Sequence, residues 1–109
     1  MGSQEIIKIE DDFTLIRFQN DSAEPFFAQH DIVGTGLIQF HFGIKGNAKF
    51  LFNQGTYALE LKEEKSLLLY NPQKELPLHL ELAPNSWAIS LIVSIKKFHA
   101  LFSFYTLLV

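Results

Sequence analysis

The sequence predicts an all-β domain of the barrel or sandwich kind. Three observations carry that expectation. Apolar and polar residues alternate with period two over most of the chain, the signature of half-buried strands. The alternating runs are short and divided by clusters of Gly, Pro, Asn and Asp. The 109 residues are 48% hydrophobic and include 11 Phe, enough apolar volume for one core and too few residues for a second domain.

The elements follow in chain order. Phe13 to Phe18 reads as a first strand, and Asn20 to Pro25 as a loop. Leu37 to Ile44 places Ile38, Phe40, Phe42 and Ile44 on one face and Gln39, His41 and Gly43 on the other. Lys45-Gly46-Asn47 makes a turn. Ala48, Phe50 and Phe52 share the apolar face of the next strand, and Asn53-Gln54-Gly55 is a hairpin signal with Gly supplying a positive φ. Tyr57, Leu59 and Leu61 continue on one face before the charged turn Lys62 to Lys65. The unbroken run Leu67-Leu68-Leu69 predicts a strand buried on both sides. Leu76, Leu78, Leu80 and Leu82 alternate with Pro77, His79 and Glu81, and Trp87, Ile89, Leu91, Val93 and Ile95 mark the last strand. Phe40, Phe42, Phe50 and Leu80 are the expected core. The period then changes: Ser94 is placed to cap a helix starting near Ile95, with Phe98, Leu101 and Phe102 at helical spacing. This gives an arm over residues 1–12, a barrel over 13–95 and a helix or tail over 96–109.

Composition narrows the chemistry. The net charge is −3 and the densest basic spot is the pair Lys96-Lys97, so this chain alone is not expected to bind nucleic acid. With no cysteine there is no disulfide framework, thiolate zinc site or cysteine nucleophile. This fits a cytoplasmic setting. The polar, acidic start is unlike a secretory signal, and the apolar stretch near the end is broken by Ser94, Lys96, Lys97 and His99, so no membrane span is expected. No Ser/His/Asp order, paired-carboxylate pattern or phosphate-cradling Gly loop stands out. The pairs Asp11-Asp12 and Glu63-Glu64 read as solvated turns.

The run from Gln39 to Phe50 (Gln-Phe-His-Phe-Gly-Ile-Lys-Gly-Asn-Ala-Lys-Phe) resembles the first hairpin of the cupin fold, and Glu64 to Pro72 resembles the cupin strand ending in a Pro-containing turn. More narrowly, Ile38 to Phe102 resembles the N-terminal effector-sensing domain of AraC-type transcription regulators. Phe-His-Phe-Gly-Ile-Lys-Gly, Leu-Tyr-Asn-Pro-Gln-Lys-Glu-Leu-Pro and Ser-Ile-Lys-Lys-Phe-His-Ala-Leu-Phe carry that likeness. The resemblance implies a cupin-like double-stranded β barrel (jelly roll) with a short C-terminal helix. It implies a ligand-sensing and dimerisation domain without its DNA-binding half in this chain. Cupin metal sites take two His one residue apart, then a Glu and a later His. Anchored on Gly46, those positions fall near Ile32 to Thr35, on Gln39 and near Glu75. The resemblance therefore implies no metal and no cofactor.

Four side chains are candidates for holding an effector. Gln39 and His41 share a face that the resemblance turns inward, which would make them polar hooks in an apolar pocket. The apolar face formed by Ile38, Phe40 and Phe42 argues the reverse, with Gln39 and His41 in solvent. Tyr70 and Trp87 each join an aromatic body to one polar handle, and core or rim packing is the simpler account of both. His79 and His99 read as solvated surface residues and His30 as a loop residue. The tail is apolar over more than one helical stripe, so Phe98, Leu101, Phe102 and Tyr105 are expected at a homodimer interface. An extra strand is the rival account of that tail. The leading expectation is thus a non-enzymatic, dimeric sensor of an unidentified small molecule. The alternatives are a small metal-independent cupin isomerase or lyase, and a plain structural homodimer.

Overall fold

The computed structural model describes residues 2–30 and 35–100, which form two antiparallel sheets packed face to face. The strands are β1 (Gly2–Glu10), β2 (Phe13–Asn20), β3 (Phe26–His30), β4 (Leu37–Lys45), β5 (Asn47–Phe52), β6 (Tyr57–Lys62), β7 (Ser66–Tyr70), β8 (Leu78–Leu82) and β9 (Ser86–Ser94). Residues 95–100 form helix α1. One sheet runs β1-β2-β9-β4-β7 and the other β3-β8-β5-β6. Strands distant in sequence lie side by side, as in the double-stranded barrel the sequence implied.

The turns form where the expected residues allow them. Gly46, with φ 70, closes the bend from β4 to β5. A Cβ there would run into the Ser86 hydroxyl, which accepts a bond from Asn47 N at 2.9 Å. Gly55, with φ 88, ends the 3-10 turn Asn53–Gly55 between β5 and β6. Ser94 caps α1: its Oγ accepts from Lys97 N at 3.0 Å and donates to Asp12 Oδ2 at 2.7 Å. An ion pair between Lys97 and Glu10 fastens the same corner.

The core lies between the sheets. Ile16 and Phe18 of β2, Ala48 and Phe50 of β5, Leu61 of β6, and Leu78, Leu80 and Leu82 of β8 are buried together. Phe50 and Leu80 hold the places expected of them. Phe40 and Phe42 do not. On β4 the residues facing the core are Gln39 and His41, while Phe40 is half-buried and Phe42 is 38% exposed on the outer surface. β9 is inverted in the same way. Ser86, Ala88 and Ser90 point inward, and Trp87, Ile89 and Leu91 point outward. Cross-strand pairing couples the two strands, because directly opposed residues share a face. His41 opposite Ser90 inside therefore forces Phe40 opposite Leu91 and Phe42 opposite Ile89 outside.

The outer face of the five-stranded sheet consequently carries apolar rows. Ile7, Leu15, Leu91, Phe40 and Leu68 are register partners across all five strands. Phe13, Val93, Ile38 and Tyr70 form the next row. Phe98 of α1 stacks on Phe40 at 5.8 Å between ring centres.

Three further expectations are corrected. Leu67-Leu68-Leu69 lies on the edge strand β7, where Leu68 is 53% exposed rather than buried. His30 ends β3 instead of sitting in a loop. Most of the segment read as an arm is β1, an edge strand whose register with β2 slips at a bulge between Lys8 and Glu10.

Candidate functional site

The polar groups inside the barrel converge on β4 and β9. Register sets His41 directly opposite Ser90, and alternation brings Gln39 to the same face two residues earlier. All three are essentially inaccessible to solvent. Ser90 Oγ lies 2.6 Å from His41 Nδ1, and His41 Nε2 lies 3.0 Å from Gln39 Oε1. Gln39 Nε2 donates onward to the Leu76 carbonyl at 3.1 Å.

This chain of bonds fixes its own protons. Because the Gln39 amide nitrogen points at a carbonyl, its oxygen must face the imidazole, which makes Nε2–H the donor. Nδ1 is then left as the acceptor and takes the Ser90 O–H. The imidazole is neutral, and burial pushes its pKa down to about 3. Phe50, reaching across from the opposite sheet, packs on the ring at 4.1 Å between centroids.

A second buried polar group, Asn20 with Ser86, closes one end of the barrel. Asn20 Nδ2 donates to the carbonyls of Glu24, Leu82 and Ala83 at 2.8, 3.2 and 3.1 Å. Its Oδ1 accepts from Ser22 N and Oγ. Ser86 Oγ donates to the Pro84 carbonyl at 3.2 Å. Among the described residues no buried side-chain nitrogen or oxygen lacks a partner.

These arrangements bound the chemistry. A hydroxyl beside an imidazole has the makings of an activated nucleophile. Here the serine is sealed from solvent, and an imidazole titrating near 3 is too weak a base at neutral pH. The described residues of the interior do not make a site for a divalent cation either. Among the described residues the interior offers one imidazole with both nitrogens engaged, the amides of Gln39 and Asn20 and the hydroxyls of Ser90 and Ser86, and no carboxylate. No three His, Cys, Asp or Glu come together among the described residues.

The other residues singled out from the sequence lie elsewhere. Tyr70 and Trp87 are on the outer face, 41% and 37% exposed, so they do not join Gln39 and His41. The reason is parity: Tyr70 opposes Ile38 and Trp87 opposes Lys45, all on the side away from His41. Trp87 Nε1 donates to Asp21 Oδ1 at 2.8 Å, and Lys45 Nζ sits 5.7 Å from its ring centre. The Gln19 amide and then the Trp87 indole hold the Asp21 carboxyl below the usual carboxylate range. Phe98 lies on the same outer face, against Phe40. Leu101, Phe102 and Tyr105 are outside the described residues.

Sequence reasoning passed over Ser90, Asn20 and an external groove. The groove, of about 220 Å³, opens where β5 parts from β8 beyond the Phe50–Leu80 pair. Phe27, Gln29, Leu51 and His79 rim it. It is smaller than the sites that enclose drug-sized ligands.

Solved structures identify this architecture as the cupin fold. An RmlC-like cupin protein from Desulfovibrio desulfuricans superposes with a TM-score of 0.62 at 11% identity, covering 84% of this chain and 81% of the other. The Cupin_2 domain of an XRE-family transcriptional regulator from Enterobacter cloacae also gives 0.62, at 13% identity, over 84% and 95% of the two chains. A cupin-superfamily protein from Desulfitobacterium hafniense gives 0.57 at 14% identity, over 87% and 78%. No protein-family profile matches the sequence, and no curated protein sequence is detectably similar to it. No helix among the described residues is long and apolar enough to cross a membrane.

Proposed function

We propose that this chain is a sensor-type cupin domain, dimeric and cytoplasmic, of the kind found in AraC-type regulators. It would bind a small polar effector rather than catalyse a reaction. The observation that carries this reading is the Ser90–His41–Gln39 chain. It is a neutral, proton-ordered relay of donors and acceptors enclosed by apolar side chains. A relay of neutral donors and acceptors suits recognition of hydroxyl or carbonyl groups, which can replace the internal partners bond for bond. Effector binding would select a conformation in which Phe50 and Ser90 yield to the ligand, shifting the population of barrels. The similarity to a cupin domain from a transcriptional regulator supports the regulatory setting.

The test is a two-dimensional amide and imidazole NMR titration against a panel of monosaccharides, polyols and small carboxylates. A sensor moves the Gln39 side-chain amide and the His41 ring resonances with at least one class of compound. Compounds that shift only surface resonances refute the reading. They would favour the second account, a filled barrel whose satisfied interior is purely structural.

A further inference from the structure

We infer that the loop from Asn71 to Pro77 is a gate over the effector site and that Gln39 is its latch. An acceptor oxygen of the effector takes the Gln39 N–H from the Leu76 carbonyl, and that exchange releases the loop. The inference rests on the proposed sensor function and supplies its entrance and its signal. The two ends of the barrel are closed to different degrees. One end is bonded shut from several strands. There Asn20 donates to three carbonyls, and Ser86 Oγ donates to the Pro84 carbonyl and accepts from Asn47 N. At the same end Gly43 N donates to Lys65 O at 2.9 Å, and Gly43 O accepts from Glu64 N at 2.8 Å.

Gln39 lies towards the other end. It precedes His41 by two residues on β4 and opposes Ile92, near the finish of β9. The loop crosses that end from β7 in one sheet to β8 in the other. It has no regular structure, and Pro72 to Glu75 and Pro77 are exposed. Its two prolines bring no N–H to a backbone ladder. A segment of this kind opens at lower cost than the strands around it. It is nonetheless coupled to the interior. Gln39, 1% exposed, donates from Nε2 to the Leu76 carbonyl at 3.1 Å, while its Oε1 accepts from His41. The amide thus holds the relay with its oxygen and the loop with its nitrogen. A ligand entering from this end meets Gln39 before His41 or Ser90. A ligand oxygen in place of the Leu76 carbonyl keeps the amide satisfied, so the exchange leaves no buried donor unpaired.

Native-state trypsin cleavage of the full chain, read by mass spectrometry, tests the inference with no effector present. Its outcome is therefore separate from that of the NMR titration. Cleavage after the exposed Lys74 reports opening of the loop, and cleavage after Lys49 in β5 reports loss of the sheet. At low protease both rates follow the open populations. Gln39→Met keeps the side chain's length and removes the amide. It should raise cleavage after Lys74 relative to Lys49 by about fivefold, the worth of a neutral hydrogen bond. Ser90→Ala, which breaks the relay at its far end, should leave that ratio unchanged. A second measurement leaves the interior intact. Pro77→Gly loosens the loop and should speed deuterium exchange of the His41 Nε2–H by about threefold, whereas Pro84→Gly, in the turn at the closed end, should not. An unchanged ratio in Gln39→Met overturns the inference, as does a ratio that rises as much in Ser90→Ala. Equal acceleration by the two glycine variants also overturns it, because the imidazole would then exchange by unfolding of the whole barrel. Acceleration by Pro84→Gly alone overturns it by placing the entrance at the other end.

Discussion

Acidification should destabilise this fold through a single imidazole. His41 is neutral when folded, with a pKa of about 3, against an ordinary value near 6.5 in the unfolded chain. Between those two values the unfolded state binds a proton that the folded state does not. Stability is therefore fully present above pH 6.5 and is lost as pH falls toward 3. Linkage gives a loss of about 2 kcal/mol between pH 7.5 and pH 5.0, a sizeable part of the 5–15 kcal/mol typical of a domain. Asp12 and Asp21, both held below the ordinary value of 3.8, Asp12 chiefly by its bond from Ser94, lose their contribution only at lower pH, because even the unfolded carboxyl titrates below this window. Urea unfolding at fixed protein concentration measures the loss. The comparison is with His41→Gln, which retains a buried polar group and cannot titrate there. Its overall stability should be lower, but the loss on acidification should shrink to below about 0.5 kcal/mol. An equal acid loss in parent and variant would refute the assignment of a buried neutral His41.

Other changes separate the two faces and the interior. Phe50→Ala should cost about 3–5 kcal/mol by calorimetry, since the ring is buried against His41. Phe42→Ala should cost less than about 1 kcal/mol within the monomer, and a large loss there would mean the face is not free. Ser90→Ala strips the donor from His41 Nδ1 and leaves a buried acceptor unpaired, a loss of about 1–3 kcal/mol in urea unfolding. Elemental analysis of chain purified without chelator should find far less than one equivalent of Fe, Mn, Ni or Zn. A stoichiometric metal on barrel residues would contradict the account of the interior.

The fold was legible because turn chemistry and strand spacing are local. Gly46 and Gly55 announce positive-φ turns, and the alternation of β8 carries its leucines to the core. What misled was the assumption that the more apolar face of a strand points inward. On β4 and β9 that rule fails, because both faces are in demand: one meets the barrel interior and the other carries the apolar rows. Gln39 and His41 could be singled out as a same-face pair. Which way they pointed could not be read, because the decisive partner, Ser90, is 49 residues from His41. A serine in an apolar strand looks like a solvent-facing residue. The signal that would have found it is the run of small residues Ser86, Ala88 and Ser90 on one face, which leaves room for the His41 ring opposite. β1 escaped notice because its isoleucines and charges do not alternate, as suits an edge strand overhanging the sandwich.

The capping serine of α1 has a consequence for the order in which the molecule assembles. Its hydroxyl bonds to Asp12, 82 residues earlier, and Ile95 N bonds to the Gly36 carbonyl at 3.0 Å. The axis of the helix is thus set by a hairpin at the opposite end of the chain. Contacts between such distant residues close only after the intervening loops have been fixed. The helix can coil from local contacts, but its direction depends on contacts that span most of the chain. During synthesis β2 must therefore wait, with Ile16 and Phe18 uncovered, until β9 arrives to pair with it and to bring the serine to its aspartate.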